Sequence, residues 1–276
     1  MNVYMDHGAA HPVDPRVFEA MSPYFSDSYG NPSSVHTQGF EAQRAMDEAR
    51  ERVASLIGAQ ASEIVFTSSA TESNNLGIIG AATRYRKKGK RIVVSNIEHI
   101  SVLNICKELS RQGFEIEYAP VDKEGILDLG RLAGLIDDET VLVSVMAANG
   151  EIGTIQPIKE AAGISHDHDA LFHTDATAAA GQISLDAETI GFDLMTLSSN
   201  DLYGPAGAGA LFLRKGLRVR PHMIGGGQEG GLRSGSENIP GIVGMGKAAE
   251  LIQKDIDGEA KRLTKLRDRL IKGTTE

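Results

Sequence analysis

Short runs of β-branched and other apolar residues alternate along this chain with longer segments of helical periodicity, and that alternation restricts the fold more than any other feature. The runs lie near Ile64–Thr67, Arg91–Ser95, Glu115–Ala119, Val141–Val145, Leu171–Thr174, Asp193–Leu197 and Gly209–Leu213. Most are almost continuously apolar, the pattern of strands buried on both faces of a mainly parallel sheet. Helical segments are expected near His36–Ile57, Thr71–Lys87, Ile100–Gln112, Leu129–Ile136 and Gln156–His166. Such alternation predicts a doubly wound α/β domain. A short Gly/Pro-rich loop separates the last two runs, so one of them is expected to pair antiparallel. From Glu237 onward the pattern reads as one long helical region, with Leu263, Leu266 and Leu270 on one stripe.

Composition narrows the function. The chain has 276 residues, 41% hydrophobic and 24% charged, with a formal net charge of -9. That balance suits a globular protein and disfavours a nucleic-acid role, which needs a basic face. No apolar run approaches the ~20 residues that span a bilayer, and the N-terminus lacks a basic-then-apolar signal pattern. The expectation is a cytoplasmic protein without membrane or nucleic-acid partners. Cys106 is the single cysteine. It lies in a segment of helical periodicity and reads as a small buried hydrophobe rather than a nucleophile.

Ligands of doubly wound folds bind beyond the carboxyl ends of the strands, and the polar motifs of this chain fall there. Thr67-Ser68-Ser69-Ala70-Thr71-Glu72-Ser73-Asn74-Asn75 follows a run and opens a helix. Ser69 and Glu72 have capping-box spacing, and the free N–H groups behind the cap make an anion site. Ser95-Asn96-Ile97-Glu98-His99, Met146-Ala147-Ala148-Asn149-Gly150-Glu151 and Leu171-Phe172-His173-Thr174-Asp175 end three further runs. Gly225-Gly226-Gly227-Gln228-Glu229-Gly230 matches G-x-G-x-x-G but does not open a first βα unit, so it is weak as a dinucleotide motif. His166-Asp167-His168-Asp169 reads as a polar αβ loop, and no metal is expected.

Ser198-Ser199-Asn200-Asp201-Leu202-Tyr203-Gly204-Pro205 decides between these possibilities. It resembles the Ser-Gly-His-Lys-x-Tyr-Gly-Pro segment of NifS/IscS-like cysteine desulfurases, of the class V aminotransferase group. In that family the lysine binds pyridoxal phosphate (PLP) as a Schiff base. Asp201 stands in its place, and a carboxylate cannot form an imine. The other motifs resemble the same family in order and spacing. The resemblance implies the large domain of fold-type I PLP proteins, with a seven-stranded, mostly parallel sheet and an incomplete small domain. Residues 1–15 would be an N-terminal segment, 16–240 the large domain and 241–276 a C-terminal helix.

The resemblance also assigns roles. Ala70 and Thr71 would receive the cofactor phosphate, helped by Ser198, while Asn200 replaces a phosphate-contacting histidine. His99 would stack on the pyridine ring and move protons. Asp175 would pair with the ring nitrogen, and Asn149 would lie near the ring hydroxyl or a bound amino acid. Ala178 stands where the family has a glutamine, and His7 is a further departure. Ser236, in the Gly225–Asn238 loop, would reach a neighbouring subunit's phosphate, which implies a homodimer.

The family's catalytic cysteine and carboxylate-binding arginine lie in a C-terminal portion that this sequence does not include. The expectation is therefore a desulfurase-like protein of sulfur or iron–sulfur metabolism with degenerate catalysis. His99 would be a residual catalytic group and Asp201 the lysine's replacement. PLP would be noncovalent, weak or absent, and an iron–sulfur scaffold protein is an expected partner. Two alternatives remain open at this point. One is a planar ligand such as haem in the vacated pocket. The other is an active desulfurase with noncovalent PLP and a separate C-terminal subunit.

Overall fold

The computed structural model describes residues 2–275. Met1 and Glu276, the outer bounds of the first and last expected segments, lie outside them. Seven strands form one sheet: β1 (Ile64–Thr67), β2 (Arg91–Ser95), β3 (Glu115–Ala119), β4 (Thr140–Ser144), β5 (Leu171–Asp175), β6 (Leu194–Ser198) and β7 (Gly209–Leu213). Their spatial order is β1-β7-β6-β5-β4-β2-β3. β7 runs antiparallel to both β6 and β1, and the remaining pairs are parallel. The Gly/Pro-rich connection after β6 is too short for a crossover helix, so the chain turns back on itself there. Consequently β1, β6, β5, β4 and β2 all point their carboxyl ends to one edge.

The helices are α1 (Pro15–Met21), α2 (Thr37–Leu56), α3 (Ala70–Asn74), α4 (Gly80–Tyr85), α5 (Ile100–Arg111), α6 (Leu129–Leu135), α7 (Ile158–His166), α8 (Ala187–Ile190), α9 (Ile239–Gln253) and α10 (Ile256–Thr275). A π turn at Asn75–Ile79 joins α3 to α4, so residues 70–85 form one continuous helical run. Strand side chains alternate between two cores. Val93 of β2 and Val143 of β4 face the side covered by α2, α7 and α9, whereas Ile92, Val94 and Leu142 face the side covered by the 70–85 run and α5. This two-sided burial is why the runs read as uninterrupted apolar segments.

Two glycines permit close approaches. A Cβ on Gly246 of α9 would lie 2.5 Å from the Ala49 Cα of α2, so the two helices meet backbone to backbone. A Cβ on Gly209 at the start of β7 would lie 2.7 Å from the Ser69 carbonyl carbon. Gly209 thereby lets the turn that opens α3 rest on the sheet edge.

The C-terminal region corrects the expectation of one long helix. It is two helices, with a break after Gln253, whose side-chain amide donates to the Ser55 carbonyl at 2.8 Å. Asp255 Oδ1 then accepts from Gly258 N at 3.1 Å and starts α10 afresh. The expected boundary at residue 241 falls inside α9, whose Ile242, Met245 and Ala249 belong to the main core. Among the described residues of α10 none is buried, and Leu266 and Leu270 are exposed.

Candidate functional site

A cleft of about 720 Å³ opens where the carboxyl ends of the strands converge, as the doubly wound topology requires. It is walled by Ala70 and Thr71 after β1, Glu98 and His99 after β2, Asn149 after β4, Asp175 of β5 and Asp201 after β6. The N-terminal segment adds Asp6, Gly8 and Ala9. Ala178, where the family has glutamine, also faces it and is exposed.

One end of the cleft is an anion site. Ser69 caps the 70–85 run through its side chain, which accepts from Glu72 N. Glu72 Oε2 in turn accepts from Ser68 N and Ser68 Oγ. The N–H groups of Ala70 and Thr71 occupy the first two helical positions, which have no intrahelical acceptor, and the helix dipole adds positive potential there.

A chain of hydrogen bonds ties the opposite walls together. Asp175 Oδ2 accepts from Asn74 Nδ2 at 2.8 Å, and Asp175 Oδ1 accepts from Thr177 N at 3.0 Å. The second Asn74 amide hydrogen goes to Ser101 Oγ at 3.1 Å. His99 Nδ1 lies 2.8 Å from Ser101 Oγ and accepts from Ser101 N at 3.2 Å. In neutral His99 these contacts leave the proton on Nε2. The π turn follows Asn74 directly, so the irregular helix and the polar chain share a position. Asn74 and Ser101 were not singled out from sequence, because both sit in stretches that read as ordinary helix starts.

Glu98 is the other residue that sequence reasoning missed. It is buried; its Oε1 accepts from Met146 N at 2.6 Å, and its Oε2 has no hydrogen-bond partner among the described residues. Burial pushes its pKa well above the usual carboxylate range; the Met146 N–H opposes the shift, and repulsion from Asp175 adds to it.

Asp201 projects from a short 3-10 turn after β6 and is half-buried. Asn200 Nδ2 donates to Asp201 Oδ2 at 2.8 Å, and Ser198 Oγ donates to Asn200 Oδ1 at 2.7 Å. Burial raises the Asp201 pKa; the Ser198 hydroxyl and the charge of His11 pull it down, and Asp175 pushes it up.

Four of the expected site residues make contacts that the sequence did not show. Asn149 lines the cleft but spends its amide on the loop: it donates to the Ile97 carbonyl and accepts from the N–H groups of Glu151 and Ile152. Ser198 and Asn200 bond to each other instead of lining the cleft. Ser236 is exposed and lies at a separate small cavity beside Phe66 and Asn238, outside its own chain's cleft, which accords with its expected reach toward a neighbouring subunit.

Several groups belong to the scaffold. His173 of β5 is buried between Ser144 and Thr196 hydroxyls, and burial lowers its pKa to about 4, Asp175 opposing. His166 Nε2 lies 2.9 Å from Asp193 Oδ2, which also accepts from Phe172 N. Cys106 is buried, and burial with the nearby Glu98 pushes its thiol up to about 12, so it is inert as a nucleophile. A second cavity of about 510 Å³ between α1, α9 and α10 is lined by Leu202 and Tyr203 of the 198–205 segment but by none of the candidate site residues.

The fold and this arrangement of the cleft define the class: the large domain of fold-type I PLP proteins. The family model for aminotransferase class-V matches residues 3–275. Cysteine desulfurase IscS 1 of Archaeoglobus fulgidus is 56% identical over 97% of this chain and 70% of its own length. A solved structure titled as a NifS-like protein superposes with a TM-score of 0.97 at 42% identity, covering 100% of this chain and 76% of that one. Another, titled SspA in complex with cysteine, gives a TM-score of 0.87 at 39% identity over 90% of this chain and 72% of that one. The chain belongs to the aminotransferase class-V family, in its NifS/IscS-like cysteine desulfurase branch. That family depends on pyridoxal phosphate.

Proposed function

We propose that this protein keeps a cofactor cradle of the desulfurase type, holds the cofactor without a covalent link, and does not turn over cysteine as a single chain. The observation that carries the reading is Asp201 at the wall of the cleft, in the position of the family's lysine. A carboxylate has no amine to condense with the aldehyde, so Asp201 can act as a base but cannot replace the anchor.

The remaining residues fit the group. Ala70 and Thr71 N–H groups would hold the phosphate. Asp175, fixed by Asn74 and by Thr177 N, would hold the ring nitrogen in its protonated form. His99 Nε2–H would face the ring and could hold or pass a proton there. When bound, the cofactor supplies an electron sink for carbanion chemistry. Haem fits poorly: its two propionates would enter a cleft that already carries Asp6, Glu98, Glu151, Asp175 and Asp201.

On this reading the protein serves sulfur or iron–sulfur metabolism as a partner or scaffold and forms a homodimer. Support for the dimer comes from Ile224, 86% exposed beside the 225–238 loop, and from Ser236, which is exposed and does not line its own chain's cleft. A structure titled as a cysteine complex among the related proteins supports cysteine as the substrate class from which this chain descends. The test is sulfide release from cysteine with added PLP and a thiol reductant. The expected rate does not exceed that of free PLP. Turnover above that level that disappears in His99→Ala contradicts the proposal.

A further inference from the structure

We propose that the cleft selects the aminomethyl form of the phosphorylated pyridine, pyridoxamine phosphate, over the aldehyde and alcohol forms. The inference rests on the cradle reading above and adds to it which ligand the cradle takes. Replacing a lysine by Asp201 does more than remove a covalent link. It inverts the charge at the wall nearest the exocyclic carbon.

Besides Glu98, which burial holds toward its neutral form, four carboxylates line the cleft, Asp6, Glu151, Asp175 and Asp201, and no lysine or arginine does so among the described residues. The ligand's phosphate brings about -2. With the ring nitrogen protonated against Asp175, the aldehyde form carries about one net negative charge, while the protonated aminomethyl form is close to neutral. An acidic cleft therefore discriminates between them before any contact is counted.

The local contacts act in the same direction. An aldehyde oxygen beside Asp201 sets acceptor against acceptor, whereas an ammonium offers three donors. Asn200 already fixes Asp201 through Oδ2, so the carboxylate needs little ordering when the ligand arrives.

The test is equilibrium dialysis of the full chain at near-neutral pH against pyridoxamine, pyridoxine and pyridoxal phosphates, with wild type and Asp201→Asn. A charge-assisted hydrogen bond predicts that the amine binds about 10- to 100-fold more tightly than the alcohol. In Asp201→Asn that preference should vanish, and a melting curve like that of the wild type reports an intact fold. Equal affinities for amine and alcohol in the wild type, or tighter binding of the aldehyde, overturn the inference and leave the cradle standing. Binding of none of the three overturns both.

Discussion

Asn200 Nδ2 donates to Asp201 Oδ2 at 2.8 Å, and through this bond the residue after Ser199 holds the residue that replaces the family's lysine. The bond gives Asp201 a fixed direction at the cleft wall. Ser198 completes the line by donating to Asn200 at 2.7 Å. Three polar positions of the motif, Ser198, Asn200 and Asp201, form a hydrogen-bond chain that passes over Ser199, and its far end shares the cleft with Asp175.

Asp175→Asn should weaken binding of pyridoxine phosphate by about 10- to 100-fold, the loss of one charge-assisted hydrogen bond. The variant keeps one acceptor oxygen for the two donors Asn74 Nδ2 and Thr177 N, which use different Asp175 oxygens in the wild type, so a melting curve accompanies the measurement to show that the fold is intact. Equilibrium dialysis reads the change. An unchanged affinity would mean that the ring nitrogen does not meet this residue.

Glu98→Gln should flatten the pH dependence of thermal stability. The Glu98 carboxyl has a folded-state pKa well above its ordinary 4.5. The folded state therefore binds the extra proton between the two values. Its contribution is fully present below about pH 4.5 and is lost as pH rises through the folded value. Asp201, shifted in the same direction, keeps part of the slope in the variant. Melting temperatures across a pH series decide the matter. Parallel profiles for wild type and Glu98→Gln would show that Glu98 is not held toward its neutral form.

Arg50→Ala should destabilise the protein by about 3–5 kcal/mol, the cost of leaving a buried charge without its partner. Glu229 has a side chain only 4% exposed and accepts from both Arg50 Nη1 and Nη2 at 2.7 Å, and from Phe66 N at 2.9 Å. Arg50 also lies over the Phe66 ring at 4.7 Å. This cluster fastens the glycine-rich 225–238 loop to α2 and β1. Urea unfolding measures the change, and a loss below about 1 kcal/mol, the range of an exposed pair, would mean that the loop is held elsewhere.

Much of the architecture was legible because burial on both faces leaves a plain signal. β2, β3 and β7 begin and end where their apolar runs do, and β4 is displaced by one residue because Thr140 joins the ladder. The break between α9 and α10 was not legible: Gln253 and Asp255 end one helix and start the next through side-chain bonds, one of them to Ser55. In the site, Asp175, His99, Ala70, Thr71 and Asp201 converge as their strand-end positions imply. For Asn149 and Ser198 the motif tells which residue is present and not which neighbour takes up its hydrogen bonds. Glu98 and Asn74 escaped notice for a related reason. Their importance lies in a buried contact with Met146 N and in a bond to a residue 101 positions away.

Asp201 is the centre of the account, and trapping with borohydride tests it most directly. Wild type and Asp201→Lys are each incubated with pyridoxal phosphate, reduced, digested and mapped by mass spectrometry. The account predicts a phosphopyridoxyl group on residue 201 of Asp201→Lys and none on a cleft residue of the wild type, while dialysis shows that the wild type binds a phosphorylated pyridine. A reduced adduct in the wild-type cleft would contradict it, and so would a variant that remains unmodified at saturating cofactor.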